Sequence, residues 1–254
     1  MGNGKVDGKV AVVTGSDRGI GKGIALCLAK EGCKVVINAH KDSPEGKKTV
    51  QEIKKLGSDA LFVVADVSRE KDVENLVRQA VEKFGKLDIM VNNAGILVFG
   101  TVDQLTEEQW DRQMSVNLKG VFFGMKHAII QMKRQGKGGR IINISSIAGL
   151  VGFPGISAYC ASKGGVTELT REAALDVAKE GITVNAIDPG VIQTDMTAGM
   201  LKDKKTSASL LGNTPVGRVG IPEDIGNAAV FLALDASSFI TGHNLVVDGG
   251  WTAQ

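Results

Sequence analysis

Tyr159 and Lys163 stand four residues apart in the run Tyr-Cys-Ala-Ser-Lys, a spacing that puts a phenol and an ammonium on one face of a helix. A free phenol has a pKa of about 10 and is a poor base near neutrality, whereas a neighbouring cation favours its phenolate. Paired with Lys163, Tyr159 is therefore expected to act as a proton donor and acceptor. Upstream, Ile141-Ile-Asn143-Ile-Ser145-Ser146 reads as a strand ending in hydroxyls. The carboxyl end of a strand is where open parallel sheets bind ligands, so Ser146 is suited to hold a substrate oxygen. The Tyr-x-x-x-Lys spacing alone also fits an ordinary helix carrying an aromatic and a lysine, and the rest of the chain has to decide.

A second cluster lies near the N-terminus. Val10–Thr14 is a short apolar run, followed by Gly15-Ser-Asp17-Arg18-Gly19-Ile20-Gly21 and an amphipathic stretch from Lys22 to Lys30. In a strand, glycine turn and helix, the missing side chains let the backbone approach a pyrophosphate at the helix N-terminus, where free N–H groups favour anions. The spacing is G-x-x-x-G-x-G instead of the commoner G-x-G-x-x-G. The run Gly15 to Gly21, with Asp17, Arg18 and Ile20 inside it, is the expected cofactor loop. An acid at the end of the second strand would accept bonds from an adenosine 2′-hydroxyl and repel a 2′-phosphate. Here that strand ends Val35-Val-Ile-Asn38-Ala39-His40-Lys41. Ala39 stands where the acid would, and Arg18, His40 and Lys41 offer partners for a phosphate. NADP(H) is the expected cofactor, with NAD(H) as the alternative and Asp42 as the residue able to swing in.

These residues need a frame. Apolar runs recur at Val10–Thr14, Lys34–Ile37, Ala60–Val64, Ile89–Asn92, Gly139–Ile144, Thr183–Asp188 and Asn244–Val247, with helical spacing beginning near Gly19, Pro44, Glu70, Thr106, Tyr159 and Pro222. Repeated strand and helix units predict an α/β fold: one doubly wound domain over 1–254 with a seven-stranded parallel sheet. Ser68-x-x-Lys71 reads as a helix start. The stretch 194–221, rich in Met, Lys, Gly and Ser, reads as an irregular lid over the substrate.

Composition narrows the function further. The chain has 254 residues, a formal net charge of +2 and 43% hydrophobic residues. The charge makes no basic stripe for nucleic acid, and no apolar run reaches the roughly 20 residues of a membrane span. Met1 to Lys9 lacks the hydrophobic region of a secretory leader, so a cytoplasmic address is expected. Cys27, Cys33 and Cys160 lack zinc or disulfide spacing, and His127 and His243 lack metal partners, so no metal is expected.

In chain order, Thr14-Gly-x-x-x-Gly19-Ile-Gly21, Asn92-Asn-Ala-Gly95, Asn117, Ser146, Tyr159-x-x-x-Lys163 and Pro189-Gly190 resemble the short-chain dehydrogenase/reductase family over nearly the whole chain. The resemblance implies hydride transfer between a nicotinamide and a carbonyl or secondary alcohol. Tyr159 would be the general acid or base, Lys163 its tuning cation and a ligand of the nicotinamide ribose, and Ser146 the residue orienting the carbonyl. Asn117 would kink its helix and hold a relay water. Asp66 and Val67 would meet the adenine, Asn93, Ala94 and Gly95 would line the ribose, and Pro189, Gly190, Val191 and Thr194 would hold the carboxamide. It also implies a homotetramer built on the helices of Asn117 and Tyr159, with the tail from Asn244 to Trp251 against a neighbour.

The substrate stays open between two classes. A small-molecule sugar, polyol or other alcohol is suggested by Val35 to Lys41 and Lys163-Gly-Gly165, which resemble the glucose-dehydrogenase branch. A 3-oxoacyl-[acyl-carrier-protein] reductase is the alternative, with Lys133, Arg134 and Lys137 to meet an acidic carrier, although Glu180 stands where such reductases often carry a base. A dinucleotide-binding protein without catalysis is a third reading, which decay of the site residues would favour.

Overall fold

β-branched residues crowd the helix backbone but pack well on a pleated surface buried on both faces, and the Val/Ile runs here become such strands. The computed structural model describes residues 4–254, so the first three residues of the expected 1–254 domain lie outside the described residues. The strands are β1 (Val10–Val13), β2 (Lys34–Ala39), β3 (Ala60–Val64), β4 (Ile89–Asn92), β5 (Gly139–Ile144), β6 (Ile182–Pro189) and β7 (Asn244–Val247). They form one seven-stranded sheet in the order β3-β2-β1-β4-β5-β6-β7, parallel at every pairing.

Alternation along each strand divides the core into two layers. On one face Ala11, Val13, Ile89 and Ile142 pack against Ile24 and Leu28 of α1 (Gly19–Lys30), Ile53 of α2 (Pro44–Lys55) and the apolar side of the last long helix, Pro222–Ala233. On the other, Val12, Met90, Ile141 and Val184 meet Leu76 of α3 (Glu70–Phe84) and two long helices described next. The first of these begins as α4 (Glu107–Met114), where Thr106 and Gln109 form a reciprocal capping box. It passes through a π-turn at Ser115–Lys119 and continues as α5 (Gly120–Gln135). The second is α6 (Ser157–Val177), which starts two residues before Tyr159.

The helix expected near Glu70 begins there, but the capping expected of Ser68 is corrected. Arg69 precedes α3 without a side-chain cap, because the Ser68 amide and hydroxyl donate to the Asp66 carboxylate at 3.0 and 2.7 Å. The stretch 194–221 is also less irregular than expected. It contains α7 (Ala198–Lys202) and α8 (Lys204–Gly212), and Asp203 caps α8 by accepting from the Thr206 amide at 2.8 Å. A bridge between Ile192 and Gly220 pinches its ends together before α9 (Pro222–Ala233). The C-terminal tail is tied to the same excursion: the Val216 amide donates to the Gly249 carbonyl at 3.1 Å. Asp248 braces that tail by accepting from the Gly250 and Thr252 amides at 2.8 and 2.7 Å. Beyond it Trp251 packs on Phe153, ring centres 5.7 Å apart.

This topology decides where a site can form. The strand order reverses between β1 and β4, so the connections leaving their carboxyl ends diverge to opposite faces and open a crevice. The glycine turn follows β1, the Asn93–Gly95 segment follows β4, and Ser146 follows β5 on the same edge.

Candidate active site

The glycine turn is built by contacts between strand ends. The Gly15 amide donates to the Asn38 side chain at 3.1 Å, and Asn38 donates in turn to the Ala39, Val63 and Ala65 carbonyls. From β4, the Asn93 side-chain amide donates to the Thr14 and Gly15 carbonyls at 2.8 and 3.0 Å, while the Thr14 hydroxyl accepts from the Asn93 and Ala94 amides at 2.9 and 3.0 Å. The Asn93 side chain thus braces the turn.

Glycine is required here by contact. A Cβ on Gly15 would fall 2.9 Å from the Ala94 Cα, and one on Gly21 would fall 2.3 Å from the Gly15 carbonyl oxygen. A bare backbone cradle at the start of α1 fits a pyrophosphate. Ile20 packs on the core beneath it, and Gly19 faces the Thr194 methyl, 3.5 Å from where its Cβ would sit. Thr194 therefore brings the start of the 194–221 stretch onto the glycine turn. Asp17 is buried and accepts from Arg18 and from Ser43, the N-cap of α2, at 3.0 Å each. Arg18 reaches on to Asp195 at 3.6 Å, and Asp17 holds its guanidinium above the usual arginine range.

His40 and Lys41 are exposed past the end of β2. Asp42 is engaged elsewhere, on Lys47 at 2.7 Å. Ala39 is buried. Asp66 is taken up by Ser68, and Val67 is buried, its side chain beside Gly120. Gly95 lies by Asn117, 3.5 Å from Oδ1 to the place of a Cβ. Pro189 ends β6, and Gly190 packs closely on Asp248 and donates to the Val247 carbonyl at 3.0 Å. Val191 follows, half-buried, its carbonyl accepting from the Gly220 amide at 3.0 Å.

Ser146, Tyr159 and Lys163 come together at the carboxyl end of β5. Ser146 leaves the strand extended, its hydroxyl accepting from the Ala148 amide at 3.1 Å, and its side chain favours the charged form of the nearby Tyr159 phenol. Ser145 turns the other way, donating to the Lys163 carbonyl at 3.0 Å. One turn of α6 from Tyr159, the buried Lys163 ammonium lies 5.5 Å from the phenol ring centre and donates to the Ile144 carbonyl at 2.7 Å. Asn117, fully buried in the π-turn, clasps the Ile96 backbone, accepting from its amide at 2.8 Å and donating to its carbonyl at 2.9 Å. It also donates to Ser162 at 3.3 Å, and Ser162 donates to the Tyr159 carbonyl at 2.8 Å. Asn117 thus joins the two long helices.

The electrostatics depart from the expectation that Lys163 holds the phenol down. Burial pushes Tyr159 up to about 12, opposed by Ser146, and Lys163 is absent from the balance. Burial also lowers Lys163 to about 8, against the pull of the Asp188 carboxylate. Withdrawal from water dominates both groups in the protein alone.

Sequence reasoning missed Thr14, Asn38 and Ser162 as parts of the site. A polar residue at the end of each of the first two strands was the available signal for Thr14 and Asn38. Ser162 had none, lying inside the Tyr-x-x-x-Lys run as an ordinary helix residue.

With this geometry in place, the comparisons with known proteins are decisive. A family model described as enoyl-(acyl carrier protein) reductase matches residues 14–252. The chain belongs to the short-chain dehydrogenase/reductase family. It is 43% identical over 242 residues to a 3-oxoacyl-[acyl-carrier-protein] reductase of Staphylococcus aureus, covering 95% of this chain and 97% of that protein. It is 41% identical over 250 residues to 2-dehydro-3-deoxy-D-gluconate 5-dehydrogenase of Escherichia coli, with 98% and 97% covered. A solved structure from Agrobacterium tumefaciens, assigned as a 2-deoxy-D-gluconate 3-dehydrogenase with bound NADP, superposes with a TM-score of 0.91 at 34% identity and full coverage of both chains. The protein is an NAD(P)(H)-dependent oxidoreductase acting on carbonyl and alcohol groups, which retires the non-catalytic reading. Its single Rossmann-type domain is the one expected from the alternating pattern.

The depressed Lys163 has a measurable consequence. An unfolded lysine titrates near 10.5 and the folded one near 8, so between these values the unfolded chain binds more protons and stability rises with pH. The stability of wild type minus that of Lys163→Met should therefore climb from about pH 8 to about 10.5. Urea unfolding of both proteins at several pH values checks it; a flat difference contradicts a buried, water-starved ammonium.

Proposed function

We propose that this chain is an NADP(H)-preferring reductase or dehydrogenase of a small sugar-type or polyol-type ketone and secondary alcohol. The observation that carries the catalytic part is the Lys163 ammonium 5.5 Å from the Tyr159 ring and bonded to the Ile144 carbonyl, which sets both beside Ser146 at the end of β5. A carbonyl oxygen entering between the two hydroxyls receives a hydrogen bond from each. The nicotinamide, when bound, supplies the hydride in reduction and takes it in oxidation. Tyr159 gives its proton to the oxygen as negative charge develops there, and Ser146 holds that oxygen in line. Lys163 stabilises the phenolate left behind and would hold the nicotinamide ribose, while Asn117 fixes α4 and α5 against α6 and serves the proton's route to water.

The glycine loop from Gly15 to Gly21 would hold the pyrophosphate, with Asp66, Val67, Asn93, Ala94 and Gly95 around the adenosine side. Val191 and Thr194, after Pro189 and Gly190, would hold the carboxamide, and 194–221 would close over the substrate. Preference for NADP(H) rests on the missing acid at Ala39 together with Arg18 and the free, exposed His40 and Lys41. The NADP bound by the Agrobacterium relative supports it.

For substrate, the Escherichia relative's name supports a sugar-derived compound. The Staphylococcus relative favours an acyl-carrier thioester instead, but here Lys133 is neutralised by Glu180 at 2.7 Å, which weakens the patch an acidic carrier would meet. The free thiols of Cys27, Cys33 and Cys160 fit a reducing, cytoplasmic setting. A homotetramer is part of the same reading, because the α4–α6 face exposes Phe122 and forms a cavity of about 600 Å³ lined by Met114, Leu118 and Leu169. Light scattering should give four chains; a fully active monomer contradicts that.

The cofactor assignment is tested by kcat/KM with both cofactors. Wild type should prefer NADPH, and Ala39→Asp should reverse the order by repelling the 2′-phosphate; a wild-type preference for NADH overturns it.

The mechanism is tested on a panel of sugars, polyols, ketones and acetoacetyl thioesters. Tyr159→Phe should lower kcat by about 10²–10⁴ while leaving cofactor Kd nearly unchanged. Retention of more than about a tenth of wild-type turnover by a folded variant rejects the role of the phenol. Turnover of the thioester alone would move the substrate to the acyl-carrier class.

A further inference from the structure

Asp188 lies on β6, one residue before Pro189, and its side chain is fully buried. An isolated carboxylate withdrawn from water is strongly disfavoured unless it finds donors or a counter-charge. Its donors come from the neighbouring strands. Asn244 of β7 donates to the two carboxylate oxygens at 3.1 and 3.5 Å and to the Thr167 hydroxyl at 3.2 Å. The Ser145 hydroxyl and the Ser146 amide, just past the end of β5, also favour its charged form. Asn244 ties it to the Thr167 hydroxyl, one turn of α6 beyond Lys163, and Ser145 donates to the Lys163 carbonyl, so the carboxylate lies under the turn of α6 that carries the Lys163 ammonium, the one charged group acting on it among the described residues. The relation is mutual, since Asp188 is the one charge acting on Lys163. On α6 the other titratable groups at this end are Tyr159 and Cys160, and they act on each other.

Lys163 is as short of water as Asp188, its ammonium satisfied by the Ile144 carbonyl. A neutral carbonyl offsets part of the desolvation of a cation, and the remainder falls to the nearest opposite charge. We propose that Asp188 is a positioning residue for the reaction: a buried carboxylate, fixed by Asn244, that keeps the Lys163 ammonium charged in a site withdrawn from water. Because Lys163 is depressed to about 8 with Asp188 present, loss of the carboxylate carries its titration further down, into the working range. Lys163 then becomes neutral at a pH where the phenolate and the nicotinamide ribose need its charge. Asp188 touches no reacting atom and acts wholly through the lysine.

This inference rests on the roles given above to Tyr159 and Lys163. Asp188→Asn is nearly isosteric and can still accept from Asn244, so it removes charge while keeping shape. NADPH affinity by fluorescence titration and kcat are followed from about pH 6 to about 9 for wild type, Asp188→Asn and Lys163→Met. The Asp188→Asn curves should approach wild type at the acid end and fall away at least about one pH unit earlier, an approximately tenfold change at the same pH. A merely structural role would lower the curve without moving its midpoint, and that result overturns the proposal, as does superposition on wild type. If Lys163→Met binds and turns over like wild type, the reading of Lys163 itself fails; if Lys163→Met is impaired and Asp188→Asn superposes on wild type, only the present inference fails.

Where Asp188→Asn alone does not fold, the double variant Lys163→Met/Asp188→Asn decides. Removing both charges together should give a higher Tm than Lys163→Met, which strands the carboxylate. A double variant no more stable than Lys163→Met overturns the pairing.

Discussion

The clasp between the ends of β1 and β4 is the constraint on which the rest depends. Thr14 accepts from the backbone of Asn93 and Ala94, and Asn93 donates back to Thr14 and Gly15. These bonds run across the place where the order of the strands reverses, so they set the width of the crevice. Everything laid on that edge inherits its position from them: the bare turn before α1, Gly95 beside Asn117, and through Asn117 the start of α6. The clasp joins residues about 79 positions apart in sequence, so no local propensity supplies it. Asn38 repeats the device between β2 and β3, binding three carbonyls and the Gly15 amide with one side chain.

A second constraint is dryness. The polar groups of the site lie at the ends of strands whose side chains are otherwise aliphatic, and Thr14, Asn38, Asn93, Asn117 and Ser145 each bond a group on another element. Ser145 and Ser146 are adjacent yet serve different masters because successive residues leave a strand in opposite directions. One steadies the backbone of α6 and the other addresses Tyr159. Low dielectric strengthens whatever is correctly paired here and penalises whatever is not, so a site with few charges still has strong electrostatics.

Much of this was legible in the sequence. The strands were readable because short Val/Ile-rich runs between glycine turns have few other folded states. Their ends were less so: β2 runs on through Asn38 and Ala39, which pair with Val63 and Val64, and β6 begins at Ile182 and ends at Pro189 because both find register partners. The Tyr159, Lys163 and Ser146 triangle was legible as spacing plus strand-end placement. The π-turn was not, since Ser115 to Lys119 has the periodicity of a plain helix. α7 and α8 were hidden because, among the described residues, neither buries a side chain against the core, leaving no apolar stripe to read. Asp188 escaped notice as a single acid inside an apolar run. Only tertiary structure shows that it has a lysine behind it.

The strand order also dictates when the site can exist. β7 is the last strand made, yet it supplies Asn244, the donor that Asp188 and Thr167 share across separations of 56 and 77 residues. A chain emerging from the ribosome has the glycine loop, Ser146, Tyr159 and Lys163 outside the exit tunnel long before that donor arrives. Until then β6 is an open edge carrying an unsatisfied carboxylate, a surface prone to pairing with other chains. The pairing of β7 thus covers the β6 edge and supplies the carboxylate's donor in one step. A sheet without β7 would leave β6 as an exposed rim whose carboxylate has lost its Asn244 donor.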